Sequence, residues 1–476
     1  MSVMHGIQAN LLPSALTPMA NINAGLPVVL GAMPLHLATT PATAGVPVVC
    51  YSMADVKTHL GYSSDWATWP GCEAAYVFFT LYNVGPLVFI NPWNPTGAAS
   101  TAINLTSLQT QLVNGNGSIT LSQANLLLST LTLTDSITES VLVAGTDYMA
   151  AYNSDGHIVI SNLDITLTDA IVGTVHQFTA PLLTEMQIIA AIAAIDQVFP
   201  RLRMIPGQLL APGWSHLPAV AAPLYAKSHA INNLFQAEVI ADVPSSVSTY
   251  GAVAAWIGTN NYTDANLINC WPKVTLGGQC YHLSVHLAAL NCLLDSQHND
   301  IPYLSPSNKA LSIDGANLAD DVSLASGASV FLGPETFTAS LVPFVTAVNM
   351  LQWTCWGNYT GANAVSTDPD TFIPNIRMLH WIAKKLVLTF WPIVDGPINT
   401  RLVDTVINSS NQWLNSLQAL KAIPGGKVAF NPALNSASNL AAGKLVISVA
   451  VGPDSPAQQI TFNIQLDASF YSALSA

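Results

Sequence analysis

The first 340 residues alternate short β-branched runs with stretches of helical periodicity, and one long block interrupts the alternation. The strand-like runs, bounded by Pro and Gly, lie at 28–31, 47–51, 87–91, 208–210 and 237–241. Helical patterns lie at 53–60, 71–82, 184–198 and 217–232, and Ser52 and Ser215 are placed to cap the first and the last of these. This alternation predicts an α/β layer built on a mostly parallel sheet.

The interrupting block, residues 95–179, has a different character. Thr, Ser, Leu and Val alternate along it, Gly and Asp mark turns, and helix signals are scarce. Its clearest element is a hairpin, in which Ser154-Asp155-Gly156 separates the alternating runs 148–152 and 157–160. We predict an inserted β-rich domain at the periphery of the molecule, because insertions are tolerated where few contacts cross.

The last third of the chain predicts a further α+β domain. The sequence predicts one helix that ends at Met350 and two longer helices at 373–394 and 397–420. It also predicts strands at 427–430, 445–451 and 459–466. The first 25 residues are polar, contain Pro and have no periodicity, as in an arm. The predicted α+β multidomain chain then has five parts: an arm at 1–25, a first α/β part at 26–94, the insertion at 95–179, a middle α/β domain at 180–340 and a C-terminal domain at 341–476.

Composition limits the functions that suit such a chain. Half of the residues are apolar and only 8% are charged, against roughly one quarter in an average soluble domain, which favours burial against other copies. The 13 basic residues form no cluster and face 26 acidic ones, so no nucleic-acid partner is expected. No apolar stretch reaches the roughly 18 residues of a spanning helix, so no membrane insertion is expected.

The compartment is predicted from the first residues and the cysteines. The segment MSVMHGIQAN lacks the basic and apolar regions of a secretory signal peptide. The six cysteines show neither CxxC spacing nor the density of a disulfide scaffold. A cytoplasmic protein with reduced thiols is therefore expected.

Three short patterns suggest chemistry, and each also has a structural interpretation. Gly213-Trp214-Ser215-His216 lacks the G-x-S-x-G spacing of a hydrolase elbow, and Ser215 is better explained as a helix cap. His282 and His286 lie one helical turn apart, but the Glu of an H-E-x-x-H zinc site is missing. Asp320-Asp321 has no third carboxylate at calcium-loop spacing. No catalytic, cofactor or metal site is expected.

Four stretches resemble a known family, the contractile tail sheath proteins of myophages, phage-tail-like bacteriocins and related injection machines. The first comprises VVLGAMPLHLA, VPVVCYSMADVKTHLGYSSDW and VFINPWNP, and the second is the hairpin with AGTDY and DGHIVI. The third, FPRLRMIPGQLLAPGWSHLPAVAAPLYAKSHAINNLFQAEVIADVP, has the APG-W-S turn of the sheath middle domain and is the most specific. The fourth comprises WGNYTG, FIPNIRMLHWI, LNSLQAL, IPGG, AGKLVISV and PAQQITFNIQLD, similar to the sheath C-terminal domain. Tyr359 follows the WGN turn, where many members have Arg.

The resemblance implies a structural function and a set of partners. Members of the family polymerise as six-membered rings stacked helically around a tail tube, between a baseplate and a tail terminator, and contract to drive the tube through a cell envelope during genome ejection. The resemblance also implies a subtilisin-like α/β middle layer, terminal arms that exchange strands between subunits, and no enzymatic activity. The location it implies is the virion tail, after assembly in the bacterial host cytoplasm. The residues expected in the strand exchange are His5, Gly6, Ile7, Gln8, Gln459, Ile460, Phe462, Ile464 and Leu466.

Two other classes of protein remain alternatives. An icosahedral capsid or surface-layer protein suits the low charge and the Asn and Thr content, but it predicts a jelly roll or an Ig-like chain without the helical middle region. An enzyme with a subtilisin-like domain requires a catalytic triad, which the sequence lacks.

The uneven division of charge suggests which face meets a tube. Residues 341–476 hold seven basic and six acidic side chains, whereas residues 1–340 hold six basic and twenty acidic ones. A nearly neutral inner domain with local basic groups suits a tube with acidic patches. Lys384 and Lys385 are the candidate tube contacts, although adjacent positions on a helix point in different directions, and solvation of an outer helix face is the alternative.

Overall fold

The computed structural model describes residues 17, 19–20, 23–96, 98–106, 108, 117–153, 155–162, 171–178, 182–319, 322–324, 347–349, 353–364, 366, 368, 371–458 and 460–467. Within these ranges the strands, numbered β1 to β20 in chain order, are Pro27–Leu30, Val48–Cys50, Leu87–Ile90, Ser100–Leu105, Ser118–Thr120, Leu126–Asp135, Tyr148–Tyr152, Ile158–Asn162, Ile171–Phe178, Gln208–Leu210, Glu238–Asp242, Leu267–Cys270, Lys273–Leu276, Gln279–Tyr281, Gly315–Ala319, Val322–Leu324, Ala347–Asn349, Thr354–Trp356, Gly425–Phe430 and Ile447–Gly452. The α-helices, α1 to α10, are Met53–His59, Pro70–Tyr76, Glu185–Ile192, Val198–Leu202, Pro218–Ser228, Tyr250–Thr259, Leu283–Gln297, Ile373–Phe390, Thr400–Ala419 and Ala437–Ala441.

Six strands form the central sheet, in the order β12-β11-β10-β1-β3-β2. Neighbouring strands run parallel, apart from β2, which pairs antiparallel with β3 at the edge. Five of them lie at the predicted positions. The expectation of an α/β layer on a mostly parallel sheet is therefore confirmed.

Helices cover both faces of this sheet because its central strands are apolar at nearly every position. In β1, Val28 and Leu30 enter one core while Val29 enters the other, as the alternation of side chains along a strand requires. Helices α3, α5, α6, α8 and α9 contribute to the first core, and α1, α2 and α7 to the second. The helices α8 and α9 of the C-terminal region thus pack on one face of the central sheet.

The block between β3 and α3 forms two three-stranded antiparallel sheets, β4-β9-β6 and β5-β8-β7. The predicted hairpin is confirmed, since Tyr148 lies opposite Asn162 and Tyr152 opposite Ile158. These sheets have a hydrophobic core of their own. Aromatic rings join them to the α/β layer, with Trp93 packed edge-on against Phe178 at 4.9 Å. The boundaries of the five predicted parts stay predictions.

The remaining strands form smaller antiparallel sheets. Strands β14-β13-β15-β16 make a four-stranded sheet, and β17–β18 and β19–β20 make two hairpins. The described helices include none that is both long enough and apolar enough to cross a lipid bilayer.

Three local expectations are resolved by backbone contacts. Ser52 caps α1 as predicted, since its hydroxyl accepts a hydrogen bond from the Asp55 N–H at 3.3 Å. The prediction that Ser215 caps α5 is wrong, because Leu217 occupies the N-cap and the Ser215 hydroxyl accepts from the Asp242 N–H instead. The prediction of a helix up to Met350 is wrong over 347–349, because this stretch pairs with β18.

Candidate assembly surface

The hairpin β19–β20 carries a strand edge that no described strand covers. The two strands pair along their whole length, from Gly425 opposite Gly452 to Phe430 opposite Ile447. Helix α9 covers the second edge of β19, where the Asn411 side chain donates to the Val428 carbonyl at 2.9 Å and accepts from its N–H at 2.8 Å. The second edge of β20 has no strand partner within the described ranges. An edge of this kind is a template for a strand from another chain.

The segment 460–467 carries an apolar strip that the protomer does not bury. Side chains alternate strictly between apolar and polar, and the apolar ones, Ile460, Phe462, Ile464 and Leu466, are 72%, 82%, 93% and 77% exposed. The predicted strand over 459–466 is not formed in the protomer, because the described residues 460–467 take part in no strand ladder. Covering four such side chains is worth roughly 6–12 kcal/mol of transfer free energy before the cost of ordering the segment.

Both terminal segments approach the helices of the C-terminal region. Before the apolar strip, Gln458 accepts a hydrogen bond from the Tyr359 hydroxyl at 2.6 Å, and Ser455 accepts one from Asn375 of α8. Near the other end of the chain, the Thr17 N–H donates to the Ser409 hydroxyl of α9, and the Ala20 N–H donates to the Thr389 hydroxyl of α8. The predicted strand-exchange residues His5, Gly6, Ile7, Gln8 and Gln459 lie outside the described residues.

A buried polar stripe fixes α8 to the α/β layer. Arg377, His380 and Lys384 are three and four residues apart and therefore lie on one side of the helix. The Arg377 guanidinium donates to both carboxylate oxygens of Asp295 on α7, at 2.5 and 3.3 Å. His380 Nδ1 lies 2.7 Å from a carboxylate oxygen of Glu238 on β11. Helix α8 is thus joined by buried polar contacts to α7 and to strand β11 of the central sheet.

Burial and neighbouring positive charges shift the pKa values of Glu238 and Asp295 in opposite directions. Burial raises the pKa of Glu238, but His380, Lys384 and Arg377 together lower it further, and its pKa lies below the ordinary value. For Asp295 burial outweighs the attraction of Arg377, and the pKa is raised.

The structure corrects one of the two candidate tube contacts. Lys384 is only 2% exposed, and burial, partly offset by Glu238, lowers its pKa to about 8. An ammonium inside the protomer offers nothing to a second protein, so Lys384 is not a contact residue in this conformation. The adjacent Lys385 is partly exposed, and its Nζ lies 4.7 Å from the Trp381 ring centroid and 5.6 Å from that of Trp413. The tube contact of Lys385 stays a prediction.

The two histidines considered as metal ligands, His282 and His286, contact different residues. His282 Nδ1 lies 2.7 Å from Glu73, whereas His286 Nδ1 lies 3.2 Å from the Tyr82 hydroxyl. The two histidines therefore do not converge on one ion. Asp320 and Asp321 lie outside the described residues.

Sequence reasoning missed the polar stripe on α8 and the edge-covering Asn411. The signal for the stripe was present, because three ionisable residues with spacings of three and four in a mostly apolar helix indicate a buried polar contact. No local signal identifies Asn411, because its partner is the backbone of a strand 17 residues away.

A family of known proteins matches the same part of the chain that carries the hairpin and the exposed strip. Residues 367–467 match the family model described as the phage tail sheath C-terminal domain. This part of the chain is therefore similar to the C-terminal domain of phage tail sheath proteins. The matched range contains α8, α9, the hairpin β19–β20 and the exposed strip, which are the parts that form the candidate assembly surface.

Two curated relatives and two solved structures extend the comparison. The tail sheath protein of Burkholderia phage BcepMu is 29% identical over 116 residues, 24% of either chain. A putative prophage major tail sheath protein of Pseudomonas aeruginosa strain UCBPP-PA14 is 24% identical over 273 residues, 55% of this chain. The chain therefore matches about a quarter and about two thirds (65%) of the lengths of these two relatives.

The solved structures agree in fold over nearly the whole chain. A chain of the anti-feeding prophage baseplate gives a TM-score of 0.57 at 14% identity, covering 98% of this chain and all of that one. A chain of the contracted sheath complex of the extracellular contractile injection system PVC gives 0.50 at 11% identity, covering 99% of both. The mixed α/β fold is therefore that of proteins found in contractile injection systems.

Proposed function

We propose that this chain is the structural subunit of a contractile tail sheath. Its copies form six-membered rings stacked helically around a tail tube, between a baseplate and a tail terminator, and contraction of the stack drives the tube through the target envelope. The chain acts mechanically and catalyses no reaction. It assembles in the cytoplasm of the bacterial host and becomes part of the virion tail.

The observation that carries the proposal is the complementary pair of features on the C-terminal region. One copy presents an uncovered β20 edge, and the strip Ile460, Phe462, Ile464 and Leu466 has the strand periodicity to occupy such an edge. Within one protomer neither feature is paired with a strand among the described residues. Exchange between copies satisfies both, because the added strand supplies main-chain hydrogen bonds and buries its apolar side.

Further parts of the proposal assign the other surfaces. The middle layer is subtilisin-like, as a mostly parallel sheet with helices on both faces allows. The β-rich insertion lies on the outside of the tube-shaped assembly, and its separate core supports this placement. Lys385, on a helix of the C-terminal domain, faces the tail tube.

Electron microscopy of the purified full-length chain tests the proposal. Copies should form hollow, striated tubes without any added tube protein. Replacing the four apolar residues of the strip by Ser should leave folded but dispersed subunits, because the donated strand loses its apolar side. A matched control replaces the alternate polar residues Asn463 and Gln465 by Ser and should still form tubes. Closed shells, flat lattices, or tubes formed equally by the first variant would refute the proposal.

A further inference from the structure

The segment that leads from β20 towards the exposed strip, residues 453–458, lies largely in solvent. Four of its six residues are exposed, and its two prolines are half-buried. The Asn375 side chain of α8 donates a hydrogen bond to the Ser455 hydroxyl at 3.4 Å. The Tyr359 hydroxyl donates to the side-chain oxygen of Gln458 at 2.6 Å. At these distances the bond to Gln458 is the stronger of the two contacts.

A cavity on one side of this segment leaves it without packed support there. The cavity has a volume of about 720 Å³. Its lining includes residues 454–458 together with Tyr303, Ser307 and Lys309 of the loop after α7. A polar space of this size holds solvent, so the loop does not pack tightly against the segment. The position of the segment therefore depends on its hydrogen bonds more than on apolar packing.

Tyr359 is itself fixed at the start of α8. Its ring stacks on that of Phe372, the N-cap residue of this helix, with the ring centroids 4.7 Å apart and an angle of 21° between the planes. The two residues also form an antiparallel backbone bridge, beside which the Thr360 N–H donates to the Thr371 carbonyl at 2.8 Å. The hydroxyl that contacts Gln458 therefore has a defined position relative to α8.

The residue anchored by Tyr359 lies close to the strip. Only one residue separates Gln458 from Ile460, so their Cα atoms are at most roughly 7 Å apart. From Gln458 to Leu466 an extended chain reaches roughly 27 Å. A small rotation of the chain at Gln458 therefore moves the far end of the strip through a much larger distance.

We propose that the hydrogen bond between Tyr359 and Gln458 is a latch that sets the direction in which the strip leaves its own protomer. Tyr359 is then a positioning residue for strand exchange, because it acts on the strip through Gln458. The latch rests on the proposed sheath function and adds a device to it. By narrowing the volume that the strip samples, the latch raises the effective concentration of the strip at the β20 edge of a neighbouring copy.

Tyr359→Phe tests the latch, because it keeps the ring that stacks on Phe372 and removes only the hydroxyl. The melting temperature of the full-length chain should stay the same, since the segment can detach without unfolding the core. The protein concentration at which tubes first sediment should rise about two- to tenfold, the effect of one lost hydrogen bond. The matched control Tyr303→Phe removes a hydroxyl from another residue of the same cavity lining and should leave this threshold unchanged.

Variants of Gln458 distinguish a latch from a general structural role of Tyr359. Gln458→Glu keeps an acceptor oxygen on a side chain of the same length and should assemble at the original threshold. Gln458→Met replaces the amide by a thioether, which is a poor acceptor, and should raise the threshold as Tyr359→Phe does. The double variant Tyr359→Phe/Gln458→Met should be no worse than either single variant, because both remove the same bond. Additive losses, or a raised threshold in Gln458→Glu, overturn the proposal.

The mobility of the segment in dispersed subunits gives a readout that does not depend on assembly. A nitroxide label is attached to Ala457→Cys in a full-length chain whose exposed Cys280 is replaced by Ser. In the electron paramagnetic resonance spectrum the label should become more mobile with Tyr359→Phe and stay unchanged with Tyr303→Phe. The latch requires both a freer label and a higher threshold, and the absence of either overturns it. Failure of the unsubstituted chain to form any tubes would instead refute the sheath function, and the role of the latch with it.

Discussion

Replacing Arg377 by Met tests how firmly α8 is held to the α/β layer. The substitution removes the guanidinium that donates to both oxygens of Asp295, at 2.5 and 3.3 Å, and roughly preserves the side-chain volume. The two side chains are only 1% and 5% exposed, so an unpaired carboxylate is left in an apolar environment. Removing one partner of such a buried pair costs about 3–5 kcal/mol.

Hydrogen exchange of the full-length chain, followed by mass spectrometry, measures this loss where it occurs. If α8 opens locally, a loss of about 3–5 kcal/mol speeds the exchange of its amides by roughly 150- to 5,000-fold. Lys227→Met is the matched control, since Lys227 and Asp196 lie 2.7 Å apart but are 24% and 37% exposed. Exposed pairs contribute at most about 1 kcal/mol. An Arg377→Met effect no larger than that of Lys227→Met would refute the reasoning, because burial would then not determine the strength of the pair.

Three further predictions concern Lys384, Lys385 and the insertion. Because the pKa of Lys384 falls to about 8 on folding, from an unfolded value of about 10.5, the unfolded chain binds more protons between these pH values and this group makes stability rise with pH. Lys384→Met should therefore raise the melting temperature most near pH 7 and lose this advantage by about pH 10.5; a pH-independent difference would contradict the burial argument. Lys385→Glu should abolish extended sheath on tail tubes while tube-free polymerisation survives, as counted by electron microscopy beside the control Lys444→Glu; an unchanged yield of complete tails would exclude the contact. Excision of residues 95–179 should leave the remainder folded, with its circular dichroism spectrum and cooperative melting retained, because the insertion has its own core; loss of cooperative melting would show that the two depend on each other.

The strands of the central sheet were predictable because their burial on both faces leaves a direct record in the sequence. Strands β1 and β3 are runs of apolar residues that begin at or directly after Pro, and such runs are short enough to exclude helices. The insertion hairpin was predictable for a related reason, since its turn and its period-two alternation agree.

Contacts between distant parts of the chain were not predictable from local pattern. Ser215 has the spacing of a helix cap, but the neighbouring strand β11 presents the Asp242 N–H and carboxylate to the same hydroxyl. Lys384 and Lys385 look equivalent in the sequence, and only the packing of α8 against β11 decides which of them is buried. The sequence predicts a helix over 347–349, whereas these residues pair with β18. This pairing was not predictable because β18 has no local signature in the sequence.

The candidate assembly surface was half predictable. The alternation over 460–466 identifies a strand that needs an apolar partner, and this inference requires only the sequence. The sequence does not show that the strip is exposed in the protomer, that Asn411 covers one edge of the hairpin, or that β20 leaves the other edge uncovered. Each of these depends on how α9 and the hairpin pack together.

A cryo-electron microscopy map of the assembled tubes tests the central claim most directly. The map must resolve main-chain density around the β19–β20 hairpin of one copy and trace the segment 460–467 of its neighbours. Strand exchange predicts that a segment from another copy lies along the second edge of β20, with Ile460, Phe462, Ile464 and Leu466 on its buried side. An uncovered β20 edge, or a segment folded back onto its own protomer, would contradict the account.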